Sequence, residues 1–341
     1  MKLENMRAYD CVSEKFLRIP NIQRYEVKNR TEDGFQFEIE LEDGFIFRMR
    51  AYMLTQIYPS TILEFCSNEK HILSESVLVA PYVSERSAEI CREKQLGYFD
   101  YAGNCWFTAH SIYISERGNI NSFVVKQRQN SFFERSSTVS SLILRELFAD
   151  YRKIWRLKYL AEQVGCSIGQ VSKLMTYLIK NAWAEKTEMG YAIIEPEKLM
   201  QEWSKGYGKK EPEICSCYSL DSIPEIEKKL RRIRQENGIA YYLSGFSGGV
   251  RYTPVVRYNK IHVFLSPEDI HETLQLLELK RVDSGSNVII FPITDTACLK
   301  NSRIMNYDSV VSPVQIYLDC MQLKGRGEEM AESILNKVIL K

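Results

Sequence analysis

The sequence predicts an α+β multidomain chain, with a small α+β domain first, a helical segment closed by a hairpin in the middle, and an α/β domain last. Three observations predict this. Apolar residues recur with period two over residues 33–57, with a helical period from 138 to about 181, and in mixed order thereafter. A length of 341 residues exceeds what one hydrophobic core organises. Two polar stretches, 126–137 (KQRQNSFFERSS) and Ser204–Ser216 (SKGYGKKEPEICS), read as linkers between the three patterns.

Composition narrows the class. Hydrophobic residues make up 45% and charged residues 26%, the profile of a globular protein. The net charge is +1, so any electrostatic specialisation is local. Nine cysteines, mostly inside apolar segments, read as reduced thiols and imply a cytoplasmic protein. Cys215 and Cys217 are the only close pair, and with four histidines in the chain a zinc site has little support; no metal and no cofactor are expected. The start, MKLENMRAYD, has no apolar core of signal-peptide length, and no run is long enough to span a membrane.

Residues 1–30 read as an amphipathic helix and a polar linker. Next, Phe35, Phe37, Ile39 and Leu41 alternate with polar residues, Asp43-Gly44 makes a turn, and Phe45, Phe47 and Met49 alternate again, which predicts a hairpin. A buried strand is expected at 76–81, a helix capped by Ser84 at 84–95, and strands at Gly97–Asp100, Cys105–Thr108 and Ser111–Ile114. The strand–helix–strand order has the outline of a degenerate restriction-endonuclease-like core. After the second linker, helices are expected at 222–236, about 247–253, Pro267–Leu277, Pro313–Leu323 and Gly327–Ile339. Strands are expected at Ile239–Leu243, Lys260–Leu265 and Asn287–Phe291.

Residues 140–200 carry the functional reading. A first helix at about 140–150 aligns Leu142, Ile143, Leu147 and Phe148, and a second aligns Leu157, Leu160, Ala161 and Val164. Gly165-Cys166 makes the turn and Ser167 is a natural N-cap for a third helix, Ile168–Lys180, that buries Val171, Leu174, Met175 and Leu178. A two-stranded wing follows, turning at Glu188-Met189-Gly190. The order helix, helix, turn, helix, hairpin is that of a winged helix-turn-helix, which presents its last helix to the DNA major groove.

Charge agrees with that order. Residues 126–182 hold ten basic residues (Lys126, Arg128, Arg135, Arg145, Arg152, Lys153, Arg156, Lys158, Lys173 and Lys180) against four acids. The reading therefore expects double-stranded DNA as partner. Gln170, Lys173, Thr176 and Tyr177 would face the groove, with Ser167 and Lys180 at the two ends of the same helix. Arg152, Lys153, Arg156 and Lys158 would hold phosphates, and Lys186 would be the only base of the wing. Such modules commonly act as homodimers. Glu185 and Glu188 in the wing leave open a winged helix that binds protein instead of DNA.

Three stretches in combination resemble a known family: VLVAPYVSERSAEICREKQLGYFDYAGNCWF (77–107), the helices and wing just described, and VVSPVQIYLDCMQLKGRGEEMAE (310–332). They are similar to the AbiEi-type antitoxins, transcriptional regulators of type IV toxin–antitoxin systems. The resemblance implies a DNA-binding winged helix, autoregulation, and a C-terminal antitoxin-like domain that takes a cognate toxin or another protein partner. In the better-known antitoxins the winged helix is N-terminal, whereas here it begins near residue 135.

An enzyme is not expected. A metal-dependent nuclease at residues 31–125 would use Asp100, but the following strand, Asn104–Thr108, offers no carboxylate and no lysine. Glu38, Glu40 and Glu42 are the solvent face of an alternating strand. Ser244-Gly245-Phe246-Ser247-Gly248-Gly249 has the look of a phosphate loop but lacks its lysine, and is expected to lead into a helix. Tyr317 and Asp319 are expected to be buried or to form a partner-binding edge. The expected boundaries are 1–30 for the N-terminal helix and linker, 31–132 for the α+β domain, 135–203 for the winged helix and 219–341 for the C-terminal domain.

Overall fold

A computed structural model describes residues 3–31, 33–120, 132–208 and 214–341. The chain divides into two compact units, Met1–Gln129 with Lys180–Ala182, and Asn130–Ile179 with Trp183–Lys341. Both contain a seven-stranded mixed sheet, so the architecture is α+β as expected.

The N-terminal unit runs α1 (Leu3–Phe16), β1 (Ile22–Thr31), β2 (Gly34–Leu41), β3 (Ile46–Met53), α2 (Pro59–Ser67), β4 (Ser76–Ala80), α3 (Glu85–Glu93), β5 (Gly97–Asp100), β6 (Cys105–Ala109) and β7 (Ile112–Glu116). The strands lie in chain order across the sheet. β3, β4 and β5 are parallel, because α2 and α3 carry the crossovers, and the other neighbours are antiparallel. Phe37 pairs with Met49 and Ile39 with Phe47, so the alternation seen in the sequence turns one face inward onto Val12 and Phe16 of α1. Leu78, Tyr98 and Trp106 meet α3 on the other face. β1 occupies the stretch expected as a linker. It is an edge strand, mostly exposed, and its polar sequence IQRYEVKNRT hides the period of two. α2 was likewise not signalled by periodicity; Ile62 is its one fully buried large side chain.

The C-terminal unit opens with α4 (Thr138–Ala149), α5 (Leu157–Val164), α6 (Ile168–Lys180), β8 (Ala184–Lys186), β9 (Tyr191–Ile193) and α7 (Pro196–Tyr207). It continues with β10 (Cys215–Tyr218), α8 (Ile223–Glu236), β11 (Tyr241–Ser244), α9 (Gly245–Tyr252), β12 (Ile261–Leu265), α10 (Ile270–Leu276), β13 (Lys280–Arg281) and β14 (Val288–Pro292). β15 (Arg303–Met305), β16 (Asp308–Val310), α11 (Pro313–Cys320) and α12 (Gly327–Ile334) end it. The sheet order is β13-β10-β14-β12-β11-β16-β15. The stretch expected as the second linker is shorter than read: Ser204–Tyr207 is the last turn of α7, Cys215 opens β10, and its residues 209–213 lie outside the described residues. Residues 126–131 of the first linker, with Lys126 and Arg128, also lie outside them.

One face of this sheet packs on Ile226, Leu230 and Ile233 of α8. The other joins a core that runs without a break from Leu144, Leu147, Leu174 and Trp203 to Ile316, Leu318 and Met330. The helical segment and the C-terminal region therefore share one hydrophobic interior. The glycines inside α9 serve this packing. A Cβ on Gly248 would meet the Leu243 carbonyl oxygen at 2.7 Å and one on Gly249 the Met330 sulfur at 2.7 Å, so α9 lies tight against β11 and α12.

Candidate nucleic-acid interface

α5 and α6 are joined by a tight turn. Gly165 adopts φ 74°, and the amides of Gly165 and Cys166 both donate to the Ala161 carbonyl, at 2.9 and 3.0 Å. Ser167 caps α6: its Oγ accepts from the Gln170 amide at 3.2 Å. Gln170 reciprocates, its Oε1 accepting from the Ser167 amide and hydroxyl, both at 3.0 Å, a capping box with glutamine at the third position.

Along α6, Val171, Leu174, Met175 and Leu178 are buried, while Gly169, Lys173, Thr176 and Lys180 form an exposed stripe. Of the residues expected to face a groove, Lys173 and Thr176 share this stripe. Gln170 is exposed beside it with its oxygen committed to the cap. Tyr177 lies elsewhere: half-buried, its ring packs on Phe132, Phe133 and Trp183 at centroid distances of 5.0, 5.6 and 5.9 Å, and burial raises its hydroxyl pKa.

The hairpin after α6 pairs Ala184 with Ile193, Glu185 with Ala192 and Lys186 with Tyr191. A third segment joins it, since Trp155 and Tyr191 exchange backbone hydrogen bonds of 2.8 and 2.9 Å. The turn at Gly190 demands glycine: a Cβ there would sit 2.5 Å from the Trp155 carbonyl oxygen. Thus α5, α6 and hairpin are fixed to each other before any ligand arrives.

The basic residues divide. Arg156, Lys158 and Lys186 are exposed. The Lys153 ammonium lies 4.2 Å from the Trp155 ring centroid and 4.5 Å from that of Tyr159. Arg152 donates to Tyr151 Oη at 3.1 Å and to the Leu340 carbonyl at 3.4 Å. Arg145, counted from the sequence among the bases of the patch, belongs to the interior: it is 2% exposed. Its Nε donates to Ser141 Oγ at 3.2 Å and its Nη2 to Gln315 Oε1 at 2.6 Å. Arg135 is also withdrawn, over the Tyr207 ring at 4.0 Å.

That interior network links α4, α7, β11 and α11. Gln315 donates through Nε2 to Tyr207 Oη at 3.1 Å and to Asp319 at 2.8 Å, and the Ser244 hydroxyl donates to the same carboxylate at 2.6 Å. Burial raises the Asp319 pKa against these bonds and lowers that of Arg145. Tyr317 and Asp319 are both buried, which removes them as a partner-binding edge. A second polar cluster, which no sequence motif announced, gathers on Asp308: Arg231, Arg251 and Tyr241 donate to it at 2.8, 3.0 and 2.9 Å.

Asp100, the residue a nuclease would need, is fully buried. It accepts from the amides of Val83 and Asn104 and from Asn104 Nδ2 at 3.0, 2.8 and 2.9 Å, so its carboxylate holds the turn between β5 and β6. Among the described residues no group of three or more His, Cys, Asp or Glu is placed to hold a metal. No described helix is long and apolar enough to cross a membrane.

Residues 192–340 place the chain beside a class of regulators that control transcription and serve as antitoxins. Over that span it matches the family model described as transcriptional regulator, AbiEi antitoxin, type IV TA system. The resemblance carried by the SPVQIYLD helix is thereby shown over this region, which begins inside β9 and takes in α7 and all elements from β10 to α12. No curated protein and no solved structure matches the chain.

Proposed function

We propose that the protein is a DNA-binding transcriptional regulator of antitoxin type, with α4, α5, α6 and the β8–β9 hairpin acting as a winged helix-turn-helix. The observation that carries this reading is the exposed stripe of α6, with Lys173, Thr176 and Lys180 on rigid helical spacing and no carboxylate among them. Arg152, Lys153, Arg156 and Lys158 precede or open α5, where a helix crossing the phosphate backbone would need them. Ser167 then orients the start of α6, and Lys186 reaches the backbone from the wing. Tyr177 supports the helix from behind, as its packing on Trp183 requires. The protein works in the cytoplasm as a homodimer on its own upstream DNA, and the C-terminal region takes a cognate toxin or other protein. The working domains are 31–132, 135–203 and 219–341.

Fluorescence anisotropy of the full chain on the duplex upstream of its gene tests this, at several salt concentrations and with a scrambled duplex as control. Submicromolar binding that prefers the upstream duplex and weakens steeply with salt is expected. A second reading, a module that binds protein, is favoured by the wing: Met189 is 67% and Ile194 44% exposed beside Glu185 and Glu188. Absence of DNA binding at low salt would select it.

A further inference from the structure

A cavity of about 460 Å³ lies at the start of α11, bounded by α4, by residues 301–303 and by residues 338–339. Its volume is in the range of small-molecule sites. Arg145, Arg303, Ser302 and Ser312 are among its polar lining residues, and Phe148 and Val314 among its apolar ones; none of its lining residues is acidic.

The polar lining is incompletely satisfied. Two of the three Arg145 nitrogens are held, by Ser141 and Gln315, and both of those partners are neutral. Its Nη1 and the Ser302 hydroxyl are buried and find no hydrogen-bond partner among the described residues. No carboxylate lies within ion-pair distance of Arg145 among them either, although a buried cation ordinarily has such a partner. The first turn of α11, capped by Ser312, adds its own positive end to the same space.

We propose that this cavity is a binding site for a small organic phosphate. Two guanidiniums, a helix N-terminus and hydroxyl groups supply more donors than one carboxylate takes up, and they match the several oxygens of a phosphate monoester. The walls at Phe148 and Val314 accept an apolar or aromatic body. A ligand seated there touches α4 and α11 together, the two helices that Arg145 and Gln315 already join. Its influence on DNA affinity rests on the DNA-binding reading proposed above; the binding itself does not.

The test uses the full chain and calorimetric titration with AMP, adenosine and inorganic phosphate as probes. AMP is expected to bind, adenosine not, and phosphate to compete weakly with AMP. Arg303→Gln, at an exposed residue, should weaken AMP about tenfold, and Ser302→Ala less. Arg145→Gln should abolish binding; should that variant fail to fold by circular dichroism, Arg303→Gln decides alone. No heat with millimolar AMP, or equal AMP affinity in the wild type and Arg303→Gln, overturns the proposal. AMP binding that Arg303→Gln weakens, in a protein that binds no DNA, would leave this site standing and defeat only the DNA reading.

Discussion

Helices α4 and α6 start from similar sequences and end in different roles. Both are amphipathic and both carry a basic residue near the middle, Arg145 in one and Lys173 in the other. α6 buries one stripe and shows the opposite one. α4 buries Ser141, Leu144, Arg145 and Phe148 as well as Ile143 and Leu147, so both its faces are covered. A basic residue is thus a surface charge only where the helix has a free face, and what covers the second face of α4 is α11, some 170 residues away. Counting charges along the chain cannot separate the two cases; tertiary packing does.

The sharpest way to break this comparison is to remove Arg145. Arg145→Ala strands the Gln315 and Ser141 oxygens and empties the space against the Trp203 ring, 5.5 Å away. A loss of about 3 kcal/mol or more is expected, read by urea unfolding followed through tryptophan fluorescence. A loss under about 1 kcal/mol, within the reach of a surface change, would mean that Arg145 is not an interior residue.

A buried base in the same unit, uncharged in the folded protein, gives a pH signature. Burial holds the His262 pKa at about 4, below its ordinary 6.5, and its Nδ1 has no hydrogen-bond partner among the described residues while the ring stacks on Phe291. The folded state keeps this ring neutral where the unfolded chain protonates it. Stability contributed by the neutral ring is therefore present above pH 6.5 and lost as pH falls towards 4, by up to about 3 kcal/mol. His262→Phe should flatten that part of the profile relative to wild type. Parallel profiles for the two proteins would show that the ring titrates as in the unfolded chain.

Much of this structure was legible in the sequence, for reasons that sort by mechanism. The alternation of Phe35, Phe37, Ile39 and Leu41 named the inner face of β2, because all four are buried against α1. Ser167 and Gly165 marked the turn between α5 and α6, because caps and left-handed turns need those residues. β1 was not legible, since an edge strand buries too little to show a period. The Arg145–Gln315–Asp319 network was not legible either, since its members lie on elements far apart in the chain and only the shared core brings them together. Tyr177 was placed on the exposed face by spacing alone. Its ring turns back to Phe133 and Trp183, and no helical wheel contains those neighbours.

On the exposed side of the comparison, Lys173→Ala should leave the urea midpoint unchanged and weaken every duplex alike. With one phosphate fewer neutralised, the slope of log affinity against log salt should fall by about 1. A fall confined to one base of the operator would instead assign Lys173 to base recognition, and no change would remove it from the interface. Lys153→Ala should behave differently, because its ammonium also rests on the rings of Trp155 and Tyr159. It should cost about 0.5–1 kcal/mol of stability besides affinity.

The smallest effect on folding is the most discriminating. Gln170 has an oxygen that caps α6, and the residue is exposed at the start of the same helix. Gln170→Glu keeps the capping oxygen, since glutamate is the ordinary third residue of a capping box, and adds a negative charge near the positive end of α6. Stability should change by no more than a few tenths of a kcal/mol. Gln170→Ala loses the reciprocal cap and should cost about 0.5–1 kcal/mol. Against DNA the order reverses, because Glu brings a carboxylate to the phosphates whereas Ala only removes a donor. If Gln170→Glu binds DNA as well as the wild type does, residue 170 is a structural cap and the DNA-facing surface of α6 begins at Lys173. If it binds worse than Gln170→Ala while folding better, one side chain both starts the helix and meets the ligand, and the exposed face extends to the turn itself.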